Sequence, residues 1–96
     1  MATEVGIKRF VTGEDEDGES FIWKSGTPTN TKYPTPAVSS TLLWATDRTP
    51  TDFTGSEDAG EWLLRTAPPP GGSRLTYFTL EPNTTMTRMH RTDTVD

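Results

Sequence analysis

Apolar and polar residues alternate along this chain in short runs, and the runs predict strands. In IKRFVT, residues 7–12, Ile7, Arg9 and Val11 fall on one side while Lys8, Phe10 and Thr12 fall on the other. That period of two is the mark of a half-buried strand. ESFIWKS (19–25) follows the acidic turn GEDEDG (13–18), and two such runs around an Asp-Gly step read as a hairpin. TLLWAT (41–46) and SRLTYFTL (73–80) are the next strand candidates. TTMTRMHRT (84–92) is a fifth, opened by the turn residues EPN.

Between the runs lie GTPTNTKYPTP (26–36), DRTPTDFTGSEDAG (47–60) and APPPGG (67–72), whose proline, glycine, threonine and aspartate content predicts loop. Only EDAGEWLLR (57–65) has the makings of a helical turn or two, and Gly60 weakens it. Threonine occupies 19 of 96 positions, which suits strands and turns better than helices. The expected fold class is therefore all-β, a sandwich or barrel with long Pro/Gly/Thr-rich loops.

Composition narrows this picture. Apolar residues make up 30% of the chain, well short of the roughly 45–50% usual in globular domains even when glycine is added. The core is expected to be thin for a self-sufficient domain. There is no cysteine, hence no disulfide framework and no thiolate metal site. The amino-terminal MATEVGIKRFVTG lacks the apolar stretch of a secretory signal, and no run approaches the ~18–20 apolar residues of a membrane span. A net charge of −5, with nine scattered basic residues, argues against a nucleic-acid footprint. The expectation is a cytoplasmic protein with neither nucleic-acid nor membrane partners.

Most local motifs fail on inspection. If Gly18 took the glycine slot of an EF-hand loop, the closing glutamate position would fall on Lys24, so GEDEDGE reads as a solvated hairpin turn. PPPGGS has no following Gly-Lys-Ser/Thr and is not a phosphate loop. There is no Gly-x-Ser-x-Gly elbow, and the tryptophans Trp23, Trp44 and Trp62 read as packing anchors.

The stretch MHRTDTVD (89–96) is different, because it holds the only histidine. Continued as a strand, it places His90, Thr92, Thr94 and Asp96 on one face and Arg91, Asp93 and Val95 on the other. Facing a barrel interior, the first set would cost several kcal/mol unless a metal, a ligand or ordered water satisfied it. Facing solvent, it would be an ordinary polar face. The residues themselves leave both readings open.

MHRTDTVD resembles the opening of the first signature of a group of small cupins. Cupins carry His-x-His, three or four residues, then Glu on neighbouring barrel strands. Here that spacing falls on His90, Thr92 and Asp96, with threonine in the second ligand's place and the shorter aspartate in the glutamate's. RFVTGEDEDGES, LLWATDRTP and PPPGGSRLTYFTLEP resemble segments that precede the signature in the same order, so the resemblance covers nearly the whole chain.

This resemblance implies a partial cupin, a jelly-roll β-barrel that is incomplete as given. Residues 1–38 would form an N-terminal hairpin and loop extension, and 39–96 the first part of the barrel domain. The later Gly-Asp-x-x-Pro-x-Gly-x-x-His signature is not in these residues, so the expectation is a truncated chain with a longer parent. That parent would bind or convert a small organic molecule, in the manner of relatives in secondary metabolism. His90, Thr92, Thr94 and Asp96 would line its pocket, with His90 and Asp96 as ligands to a divalent metal in the complete protein. The alternatives are a non-catalytic small-ligand-binding or dimer-forming module, with a homodimer through strand edges, and an inactive gene fragment.

Overall fold

The computed structural model describes residues 6–52, 55–82 and 91. Five strands appear among them: β1 (Arg9–Glu14), β2 (Ser20–Gly26), β3 (Thr31–Thr35), β4 (Val38–Thr46) and β5 (Ser73–Leu80). One 3₁₀ turn, Ala59–Glu61, lies between β4 and β5. The strands make two antiparallel sheets, β1-β2 and β3-β4-β5. The all-β expectation holds. No closed barrel exists among the described strands.

β1 and β2 form the expected hairpin around the acidic turn. The Asp15 carboxylate accepts the backbone N–H groups of Asp17 and Glu19, both at 2.9 Å. Gly18 donates to the Asp15 carbonyl with φ at 77°, a left-handed conformation that glycine adopts without steric cost. Of the five acidic side chains in residues 14–19, that of Asp15 thus holds the turn. Trp23 is an extra residue in the ladder, since Val11 pairs with Lys24 and Thr12 with Ile22.

β4 is the centre of the larger sheet and carries the core. Val38, Leu42 and Ala45 are buried, together with Ser39 and Thr41, and Ala59 of the 3₁₀ turn is buried as well. Paired positions share a face, so Val38, Ser40 and Leu42 lie with Leu80, Phe78 and Thr76. A bulge at Leu43 shifts the register, which puts Ala45 opposite Arg74 on that same face. The Thr41 hydroxyl, fully buried on the other face, is satisfied by the Thr31 hydroxyl at 2.8 Å.

The strand expected at 41–46 is longer, beginning at Val38, and that expected at 73–80 is β5 to the residue. β3 is a correction: it occupies part of 26–36, expected as loop. Its Pro34 is tolerated because β3 is an edge strand and its ladder breaks between Lys32 and Thr35. The helical turns expected at 57–65 shrink to the 3₁₀ turn, which ends at the extended Trp62 (φ −64°, ψ 146°), and no regular element follows over 62–65. The strand expected at 84–92 lies outside the described residues but for Arg91. The boundary expected after residue 38 falls one residue into β4, and β3, from the expected extension, is hydrogen-bonded to β4.

Candidate functional site

Residues 57–66 cross the face of the larger sheet that carries Ser40, Leu42 and Arg74, and four polar side chains hold them there. The first is Arg9 of β1. Its guanidinium donates to both carboxylate oxygens of Asp58, at 2.7 and 2.6 Å, and to the Leu43 carbonyl at 3.2 Å. That carbonyl is available because the bulge at Leu43 interrupts the β4–β5 ladder. Asp58 also accepts the Gly60 N–H at 2.9 Å, which caps the 3₁₀ turn.

The electrostatics follow from this geometry. The hydrogen bonds from Arg9 hold the Asp58 carboxyl below its ordinary range, burial opposes them, and the Gly60 N–H adds to the lowering. The same bonds raise Arg9. Both side chains are largely removed from solvent, at 15% and 8% exposure, so this is not a loose surface pair.

Asn30, just before β3, takes the next carbonyls. Both amide hydrogens are engaged, donating to Gly60 and Trp62 at 2.8 Å each. Lys32 of β3 donates to the Leu64 carbonyl at 2.5 Å. Arg74 of β5 donates to the carbonyls of Arg65 and Thr66 and, through Nε, to the Thr76 hydroxyl at 2.9 Å. Burial pushes Arg74 below the ordinary arginine value, yet such a group stays protonated at any working pH. An extended segment cannot satisfy its own carbonyls, and here the sheet supplies the donors.

Between this segment and the sheet is a cleft lined by Asn30, Lys32, Ser40 and Leu42 on one side and by Trp62, Leu64 and Arg74 on the others. Its volume is about 10 Å³, room for roughly one water-sized sphere. Organic ligands need on the order of 300–1,000 Å³. The cleft is polar and cationic, and too small to enclose a substrate.

His90, Thr92, Thr94 and Asp96, expected as pocket residues, lie outside the described residues, so their geometry bears on neither pocket nor metal. Among the described residues, no three His, Asp or Glu side chains come together as a metal site. No helix among them is long and apolar enough to cross a membrane. The residues that do converge, Arg9, Asn30, Lys32, Asp58 and Arg74, carry no motif. Arg9 and Asp58 are 49 positions apart, and no local spacing could have paired them.

Comparison with known proteins adds no relative. No family model matches the chain, and neither a curated protein nor a solved structure matches it.

Proposed function

We propose that these strands are the opening part of a cupin-like jelly-roll barrel, and that the complete protein binds or converts a small organic molecule in the barrel interior. The observation that supports this reading most is the unfinished face of the larger sheet. Val38, Leu42 and Ala45 on that face are buried, while Phe78 and Leu80 on the same face are 47% exposed. Such a gradient suits a barrel wall that further strands would complete.

In this reading His90, Thr92, Thr94 and Asp96 line the pocket, and His90 and Asp96 are the chain's contribution to a divalent metal site. Imidazole and carboxylate are ordinary ligands for such ions, whereas the Thr92 hydroxyl is a poor one. That substitution favours a second reading, a metal-independent module that binds a small ligand or supports a dimer. A test is metal analysis after gel filtration of the longest translation product that carries these residues, with His90→Ala and Asp96→Ala beside it. One bound divalent ion, lost in both variants, would support the metal site. Metal-free protein that still binds a small carboxylic or phenolic ligand would support the module. Retention of neither would count against both readings.

A further inference from the structure

Arg9 and Arg74 both pin residues 57–66 to the strands, but only one of them is neutralised. Arg9 meets the carboxylate of Asp58. Arg74, half-buried on β5, meets only carbonyls and a hydroxyl, and Lys32, its counterpart on β3, meets only a carbonyl. Among the described residues neither cation has an acidic partner, although the chain carries a net charge of −5. We propose that Lys32 and Arg74 are the two arms of a recognition site for a small oxoanion, a carboxylate or a phosphate, at the mouth of the cleft beneath Trp62.

Donor accounting supports the assignment. A lysine ammonium has three N–H donors, and the Leu64 carbonyl takes one from Lys32. The Arg74 guanidinium uses Nε and one terminal nitrogen on protein acceptors, which leaves its second terminal nitrogen unengaged. Four charged N–H donors therefore remain beside one cleft. Ser40, opposite Lys32 on the central strand, also lines the cleft.

The surroundings strengthen such a contact. Leu42 and the half-buried Trp62 form apolar walls, which lower the local dielectric and raise the worth of a charge-assisted hydrogen bond. The carbonyl bonds from residues 64–66 fix both cations before any ligand arrives, so less freedom is lost on binding. The cleft volume sets the mode. One oxygen atom fills the space of a single water, while the rest of the anion stays outside on the exposed Lys32 side.

The test is an NMR titration of the full chain with inorganic phosphate and, separately, with acetate, each against sodium chloride at equal ionic strength and pH. The reporters are the Trp62 indole N–H and the Arg74 Nε–H. Both should shift together and saturate with at least one of the two anions. Lys32→Gln, an exposed change, should weaken the apparent affinity about tenfold. Arg74→Lys, which keeps the charge but loses the fork, should weaken it as well. Saturation by phosphate alone or by acetate alone assigns the site to that anion. Shifts no larger than those in chloride, or binding undiminished in Lys32→Gln, would overturn the proposal.

Discussion

The Arg9 guanidinium grips both oxygens of the Asp58 carboxylate, at 2.7 and 2.6 Å, across 49 residues of chain. The pair joins the β1-β2 hairpin to the segment that packs on β4, so a thin core is supplemented by a directed polar contact. A bidentate guanidinium–carboxylate contact fixes orientation as well as distance, which a few buried aliphatic side chains cannot do.

Removing one member should cost more than removing both. Asp58→Ala leaves a largely buried guanidinium unpaired and also uncaps the 3₁₀ turn. We expect a loss of about 1.5–3 kcal/mol from the charged hydrogen bonds. In a double-mutant cycle with Arg9→Ala, urea unfolding should give a favourable coupling energy of about 1 kcal/mol or more. A coupling of zero would mean that the two side chains act independently.

The same contact sets an acid dependence. Asp58 is held below its ordinary value of 3.8, so the folded chain binds this proton less readily than the unfolded chain. Its contribution is fully present above that value and is lost as pH falls below it toward the folded-state value. Unfolding midpoints at pH 6 and pH 3 should therefore converge for the native chain and Asp58→Asn at the acid end and separate at the neutral end. A constant difference across that range would contradict the assignment.

Two glycines are required by close approach. A Cβ at Gly60 would strike the Arg9 guanidinium and lie 2.6 Å from the Leu43 carbonyl oxygen. One at Gly72 would collide with the Thr46 carbonyl, its carbon atom at 2.7 Å. The backbone of β4 cannot yield as a side chain can, so Gly60→Ala and Gly72→Ala should each cost about 1–3 kcal/mol. Gly6→Ala, with open space around it, should change thermal unfolding little and serves as the control.

β5 has a described neighbour only on its β4 side and carries the exposed Leu75, Phe78 and Leu80. An edge of eight residues with apolar side chains is a template for pairing. Sedimentation of the isolated chain should show a mass that rises with concentration, and Phe78→Lys with Leu80→Lys should suppress the rise. A concentration-independent monomer would remove β5 as an association edge.

How much of this could be read from residues alone depends on the range of the cause. The β1-β2 hairpin and β5 were legible because alternation and an Asp-Gly turn act within a few residues. β3 was hidden because Thr31–Thr35 has the composition of a loop and becomes a strand only by pairing with β4. EDAGEWLLR offered a helical pattern, but Arg9, Asn30 and Lys32 take its polar groups one by one, and only the 3₁₀ turn Ala59–Glu61 forms. The cationic cleft was illegible for a related reason. Lys32 and Arg74 are isolated in the sequence and meet only through the order β3-β4-β5.

The measurement that most directly tests the barrel reading is a crystal structure of the longest translation product carrying Arg9 through Leu80. The reading predicts residues 84–92 as a strand within a closed barrel that covers Phe78 and Leu80, with the His90 imidazole directed inward. An open sheet with Phe78 and Leu80 still exposed and His90 in solvent would contradict it.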